Sequence, residues 1–583
     1  MTAALTDIFG RAPLALLAFA FASAVTQAHG QTVERNPAMA LQGQQSELLN
    51  AAAFAASPAD PAPFGVDLAG LLIVDAHSNG GNILQHPGGG GVNTTFGGPT
   101  AQNDALSKRL AGFIGKPLSF KLLSEIQTQI TEFSRENGRS LVSVTVPQQE
   151  ITGGNVQINV TAFVLATKQV QGADPLATAY VQRNIRLKPG QEVDTDQLLA
   201  DVNWLNQNPF RHVAVQFQPG DAPDSTILTL KVQSARTWSG FAGVSNSGTE
   251  ATGEIRLYGG FNMSALPWKD QQLSYQTTAA PESLQSGRLW DAGTTKGYLS
   301  HAVGYLIPIT TDSGFRTKLT FGASHISSYS DGVIATKAET TVLDAEMAVP
   351  LAKINGRFAL VPELYAKLEY DDYNSLGYFA GLPILPEEVT RLAQVTLGVR
   401  SAISGEVFGK SSRGSLDMGL VFGRRDTDGT VSNYSYARFK LNHEVFVTQT
   451  SSLAVRVTGQ SSGDDLHPLS QLALGGDSTV RGYDVNGVSG STALAASIEY
   501  RASPISFGAG GQEAKFHPHV FADYGFARQA GPTDQYMRAV GLGGQFEVGD
   551  NVVGTLDLAH AFTDAGSTDA DETNVAFQMT VRF

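Results

Sequence analysis

Cysteine is absent from the 583 residues, which removes disulfides, thiol nucleophiles and cysteine-ligated metals from the available chemistry. Charge is scarce. Asp, Glu, Lys and Arg make up 16% of the chain, against about 25% in an average soluble domain. The 40 basic residues are outnumbered by 54 acidic ones, for a net charge of −14. Phosphate binding needs a basic face, so this balance argues against nucleic acid as the main partner. Long apolar runs are missing too: beyond the N-terminus, no segment reaches the roughly 18–20 uninterrupted apolar residues of a membrane helix. Glycine, by contrast, is abundant at 62 residues, and the apolar fraction is 42%. This mixture disfavours both a helical soluble enzyme and a helical membrane protein.

The one apolar run, "APLALLAFAFASAV" from Ala12 to Val25, follows Arg11 and fits the core of a secretory signal cleaved near Gly30. A helix is expected from Asn36 to Ser57, with Asn36 as cap and Pro37 in the first turn. "PADPAPFG" then reads as a linker. The glycine-rich stretch Ser78 to Pro99 lacks the lysine and hydroxyl residue of a phosphate-binding loop and reads as a plain flexible loop.

Between residues 100 and 235 a pattern occurs twice. Apolar residues at helical spacing (Leu118, Leu122, Ile126, Ile130, Phe133) end at Asn137-Gly138, and "SLVSVTVPQQ" and "NVQINVTAFVL" then alternate with the period of strands. Some 75 residues on, "DTDQLLADVNWLNQNPF" is helical and "RHVAVQFQPG" and "STILTLKVQ" are strand-like. Aligning Gly115 with Gly190 places Leu118 over Val193 and Leu123 over Leu198, an internal repeat of a helix-helix-strand-strand unit.

From about Trp238 to Phe583 the texture is different. Segments of about ten residues alternate apolar with polar or small residues, as in "EIRLYGGF", "RTKLTFGASH", "SLAVRVTG" and "VVGTLDLAHAF", separated by turns such as Asn355-Gly356 and Asp428-Gly429. Repeated to the end of the chain, this is the signature of a transmembrane β-barrel, and the length suits about 16 strands. The final residues keep the alternation through Val575, Phe577, Met579, Val581 and Phe583. An aromatic last strand needs a partner, which a barrel closing on its first strand provides.

No catalytic constellation holds. His517-Pro-His519 lacks a nearby acidic third ligand and reads as a loop pair. "GVSNSG" and "GASHIS" miss the nucleophile-elbow spacing. "RRDTDGT" opens like a calcium loop but has Ala437 where the twelfth position needs an acid, and "DAGSTDADET" is a hairpin loop. The chain does not read as an enzyme, and it implies no cofactor and no metal.

The stretch "LALGGDSTVRGYD", residues 472 to 484, sets a lone arginine among glycines between two strand-like runs. Read from its own residues it is a solvated loop. Val480, Arg481, Gly482 and Tyr483, however, resemble the valine-arginine-glycine-tyrosine motif of the TpsB-type outer-membrane transporters of two-partner secretion. "HVFADYG" resembles the family's phenylalanine-x-aspartate motif, with Phe521 and Asp523. Pro147 and Gln149 match the signature of the first POTRA module, and Asn208-Pro209 and Pro219-Gly220 are similar to the second. "GFAGVSNSGTEATGEIRL" looks like the first barrel strand and turn.

The resemblance covers about residues 66 to 583. It implies a mainly β chain: a signal peptide (1–30), a plug helix and linker (31–65), POTRA 1 with its glycine-rich insertion (66–162), POTRA 2 (163–235) and a barrel (236–583). It also implies that Arg481 pairs with Asp523, that Gly475, Gly476 and Gly482 let the loop fold tightly, and that Phe577, Met579, Val581 and Phe583 form a C-terminal assembly signal. The implied function is an outer-membrane pore exporting one large unfolded partner. That partner would carry an N-terminal two-partner secretion domain; outer-membrane lipid and the barrel assembly machinery are the other implied partners. An insertion factor for outer-membrane proteins and a passive porin are the alternatives. Without partners, an arginine buried in a lumen would be costly to desolvate, and a planar guanidinium suits a carboxylate.

Overall fold

The structure is a computed structural model. It describes residues 61–583 apart from 77–89, 96–99, 265–269, 332–334, 510–511, 529–533 and positions 140, 223, 235, 286, 294, 355, 380 and 385. The expected signal segment, the helix at 36–56 and the turn residue Asn355 lie outside the described residues. Two compact units divide at Arg236/Thr237.

The first unit holds a two-stranded pair, Pro63–Asp67 with Pro117–Ser119, and two larger sheets. One runs in the order Gly91–Thr94, Gly70–Asp75, Asn155–Ala162, Val142–Thr145; the other runs Val164–Gln171, Ser225–Ser234, Arg211–Pro219. In each, the strand opening the module lies parallel to the module's last strand, and the hairpin partner lies antiparallel to that last strand. The helix Phe120–Glu136 starts where the Ser119 hydroxyl accepts the Leu122 N–H at 3.1 Å, filling one of the vacancies of a helix N-terminus. Its stripe of Leu122, Leu123, Ile126 and Ile130 packs on Leu71, Ile73, Val156 and Ile158, each such burial stabilising by roughly 1.5–3 kcal/mol. In the second module Asp174 and Asp194 cap Pro175–Asn184 and Thr195–Leu205 in the same way. Lys168 closes the C-terminal end of Pro175–Asn184 by donating to the Gln182 and Ile185 carbonyls at 2.9 and 2.7 Å. Burial holds its pKa below the ordinary lysine value, partly offset by Asp201.

The repeat is visible residue by residue. Gly115 and Gly190 both have positive φ, +82° and +86°, and their N–H groups donate to Leu68 and Leu165 respectively, each at 2.8 Å. Leu118, Val193, Leu123 and Leu198 are all buried. Three details differ from the sequence reading. Leu118 sits in the short strand Pro117–Ser119, so the helix begins later. The run from Asn155 is divided at Phe163, and its two halves serve different sheets. The glycine-rich stretch is not all loop: Gly91–Thr94 forms an edge strand beside Gly70–Asp75, entered through Gly91 at φ +119°.

The second unit is a closed antiparallel barrel of 16 strands; the short segments Leu382–Pro383 and Ile505–Ala509 lie within hairpins whose long strands pair directly. Dyad alternation sorts the side chains: Leu364, Leu368, Tyr370, Met418, Leu420 and Phe422 are exposed on the outer face, while Asp371, Gln394 and Thr396 between them are buried. The turn at Asp428-Gly429 has positive φ at both residues (49° and 84°), as a tight hairpin requires. Closure joins Phe241–Ser245 to Gln578–Arg582. Gly240 and Phe583 exchange backbone hydrogen bonds at 2.9 and 3.0 Å, and a Cβ on Gly240 would stand 2.5 Å from the Phe583 ring. On the other edge of that last strand, Phe577, Met579 and Val581 face Leu556, Gly554 and Val552.

Candidate functional site: a loop folded into the barrel

The strands Ser452–Ser461 and Thr492–Arg501 are neighbours, but the 30 residues between them turn inward instead of making a short hairpin. Leu472–Leu474 and Val488–Gly490 pair as the stem of this loop. At its tip, Gly475 and Gly476 take φ +108° and +78°, and a Cβ on Gly475 would lie 2.0 Å from the Asp484 carbonyl oxygen. Only glycine fits that approach. Thr479 braces the turn by exchanging hydrogen bonds with the Gly475 backbone at 2.8 and 3.1 Å.

The turn aims Arg481 at the wall. Its Nε and Nη2 donate to Asp523 Oδ2 and Oδ1 at 2.8 and 2.9 Å, and its backbone N–H adds a third bond to Oδ2 at 3.0 Å. Nη1 reaches Glu499 Oε2 at 2.6 Å and lies 3.6 Å from Asp557 Oδ2; Nη2 also donates to Ser497 at 3.0 Å. The guanidinium lies over the Phe521 ring, 3.3 Å from its centre. Arg481 is 3% exposed, Asp523 4% and Glu499 5%. Removing such ions from water costs several kcal/mol each, and only saturating, well-aligned partners offset it; here the fork of donors is filled.

The flanking residues complete the dock. Val480 is fully buried and fits only because residue 525 is glycine, since a Cβ there would stand 2.9 Å from Val480 Cγ2. Gly482 has φ +91° and backs onto Ala559, and its carbonyl accepts from Asn574 at 2.8 Å. The Tyr483 hydroxyl accepts the Arg538 N–H at 2.9 Å and reaches Thr563 Oγ1 at 2.8 Å. The other end of the loop goes elsewhere. Leu469 packs on Ala338 and Tyr373, and Leu466 on Leu392 and Tyr434. The strand bearing Ala338 and the strand bearing Arg538 stand half-way round the ring from each other, so the folded-in segment crosses the lumen.

The structure thus brings Arg481, Phe521 and Asp523 into one cluster. Glu499, Ser497 and Asp557 belong to it and were not singled out from sequence; the available signal was the inward phase of Ser497 and Glu499 between the exposed Ile498 and Tyr500. His517 and His519 are not a loop pair but lie on the strand Gln512–Arg528, where His519 Nε2 meets Asp557 Oδ1 at 2.7 Å. Among the described residues no group of three or more His, Asp or Glu could hold a metal.

Of the residues expected to mark the two repeated modules, Gln149 and Asn208 lie in the other unit and bond to backbone. The Gln149 side chain accepts from Gln157 N and donates to Gln157 O, both at 2.7 Å, standing in for a missing strand neighbour. Asn206, which the sequence reading passed over, treats Val213 alike at 2.7 and 3.1 Å. Asn208 accepts the Phe210 N–H at 3.0 Å, and Pro209 follows it in that turn.

Comparison with known proteins agrees with this architecture. Residues 365–547 match the profile of the haemolysin secretion/activation proteins ShlB/FhaC/HecB, and residues 96–162 match the ShlB-type POTRA domain. The heme/hemopexin transporter protein HuxB of Haemophilus influenzae is 19% identical over 443 residues, 73% of each chain. The outer membrane transporter CdiB of Dickeya dadantii is 22% identical over 394 residues, 64% of this chain and 65% of that one. The solved structure of CdiB from Escherichia coli superposes with a TM-score of 0.64 at 16% identity, covering 98% of this chain and 97% of that one. CdiB from Acinetobacter baumannii gives 0.60 at 15% identity, covering 98% of both. The chain is thus similar to the haemolysin secretion/activation proteins, the TpsB-type transporters of two-partner secretion: an outer-membrane barrel with its POTRA modules in the periplasm that exports a partner protein.

Proposed function

We propose that POTRA modules at 66–162 and 163–235 receive the N-terminal secretion domain of one large exoprotein, and that the Arg481 loop gates the barrel at 236–583 through which it leaves unfolded. The observation that carries this reading is the span of the loop, from Leu469 against Ala338 to Tyr483 against Arg538. A chain of any size has to displace a segment that bridges the lumen. Reception is supported by a free edge: Arg211–Pro219 pairs only with Ser225–Ser234, and beyond Val213, whose backbone Asn206 occupies, no described strand lies beside it. Such an edge accepts an extended peptide as an added strand. Folding of the partner outside would make passage one-way, and no catalytic step is required. The ordered last strand, with Phe577, Met579, Val581 and Phe583 in the seam, suits recognition by the barrel assembly machinery before insertion into lipid.

A photo-crosslinking residue at Val215 of the full-length protein in cells tests the reading. One large exported protein is the expected adduct. Many different unfolded barrel proteins would favour an insertion factor, and no adduct would favour a passive pore.

A further inference from the structure

The outer face of the barrel changes character along one line. Register pairs His301 with His325, His325 with Thr341, Thr341 with Asp372, Asp372 with Arg391 and Arg391 with Asp426. These residues share the outward phase of the apolar rows that follow, such as Tyr305, Phe321, Ala345, Leu368, Val395 and Phe422. The polar line therefore marks a boundary of the lipid-facing band. It is the outer boundary, because successive strands alternate in direction and the chain enters the barrel at Trp238 from the periplasmic rim.

Two imidazoles on that boundary are not bare. The loop between Gln272–Ala279 and Gly297–Thr310 lies against the outer wall. His301 donates through Nε2 to the Leu289 carbonyl at 2.7 Å, while its Nδ1 meets the Tyr275 hydroxyl at 2.8 Å. His325 donates to the Trp290 carbonyl at 3.2 Å, with Nδ1 at 3.1 Å from Thr341. Asp291 bridges to Lys337 at 3.3 Å, and Ala292 N–H donates to Ser327 at 3.0 Å. All of these wall residues have the outward phase. Above them the Trp290 ring rests 4.5 Å from the His301 ring, yet Leu289 and Trp290 remain 74% and 63% exposed.

We infer that Leu289 and Trp290 form an outer-leaflet anchor, a loop strapped down the outside of the barrel so that an indole and a leucine enter the lipid interface. The occupant is outer-leaflet lipid, because the exposed pair continues the lipid-facing band at its outer edge, where indole rings settle with apolar body and polar N–H both satisfied. The polar atoms beneath are occupied, so the exposed pair is what the loop offers outward. The strap also keeps this loop away from the pore mouth, on the side where the wall strands are shortest, at eight or nine residues (Trp238–Ser245, Arg256–Ser264, Gln272–Ala279).

The test uses the full-length protein in phosphatidylcholine vesicles whose acyl chains carry bromine near the headgroup. Trp290 is isolated as the emission difference between wild type and Trp290→Phe. The expected result is at least twofold quenching of that difference by brominated lipid and weak quenching by aqueous iodide. His301→Leu with Trp290 retained should release the strap and reverse both effects, with heat-modifiable gel mobility showing that the barrel is still folded. Difference emission that bromine leaves unchanged and iodide quenches in the wild type would overturn the inference, as would a His301→Leu protein whose Trp290 stays lipid-quenched.

Discussion

Arg481 and Asp523 meet edge to edge, with Nε and Nη2 of the guanidinium each donating to a different carboxylate oxygen, and the Arg481 backbone N–H joins the same group. A loop residue and a wall residue 42 positions apart are thus tied at three points inside the barrel. Arg481→Ala strips Asp523 of its guanidinium and leaves Glu499 with Arg501 and Arg456 and Asp557 with His519. Breaking a buried ion pair costs about 3–5 kcal/mol, and the loop, not the barrel, bears that loss. The expected outcome is at least a tenfold fall in exported partner at unchanged amounts of heat-modifiable barrel. Arg481→Lys should recover only part, because an ammonium cannot fill the bidentate fork. Exchanging the charges, Arg481→Asp with Asp523→Arg, should also recover little, since an acid at 481 would face Glu499 and Asp557.

The absence of cysteine gives a clean background for locking the loop. A Cβ at Gly525 would stand 2.9 Å from Val480 Cγ2, which places cysteines at 480 and 525 within disulfide reach. If transport requires the loop to leave the lumen, Val480→Cys with Gly525→Cys should block export when oxidised, and reductant should restore it. Export continuing at full rate in a protein shown by mass to be fully oxidised would mean the chain passes beside a fixed loop.

The barrel was legible because alternation over many strands accumulates, and the repeat was legible because Gly115 and Gly190 carry the same backbone constraint. Arg481 was different. Its own neighbourhood reads as solvated, and only the two motifs held side by side point to Asp523. Glu499 and Asp557 stayed hidden for a physical reason: an inward acid on a barrel strand looks the same in sequence whether it meets water or a buried arginine. The strand at Gly91–Thr94 was hidden too, since glycine-rich composition usually marks loops and the pairing that makes it a strand comes from Gly70–Asp75, a separate segment.

Gly482 should tolerate no side chain. Its φ of +91° and the 3.1 Å approach to the Ala559 Cβ make Gly482→Ala strained by about 1–3 kcal/mol. Protease cleavage within 475–487 from outside the cell should rise several-fold, with the barrel core resistant. Tyr483→Phe removes the hydroxyl that serves Arg538 and Thr563, leaving buried backbone groups unsatisfied at about 1–3 kcal/mol; the same cleavage assay should rank it near Gly482→Ala. Unchanged protection in both variants would mean the loop is held by Arg481 alone.

Gln149 and Asn206 make a matched pair of predictions in the periplasmic modules. Each side-chain amide satisfies both backbone groups of one residue, Gln157 or Val213. Truncation to alanine strands a donor and an acceptor, at about 1–3 kcal/mol for an unsatisfied buried group. Val213 is 1% exposed and Gln157 3%, so water cannot readily replace the lost partner. The two sites lie in different sheets, so hydrogen exchange on the full-length protein can separate them. Gln149→Ala should speed exchange across Asn155–Ala162 and leave Ser225–Ser234 slow, and Asn206→Ala should speed exchange at Arg211–Pro219. Equal loosening of both sheets by either change would show that the modules unfold as one unit.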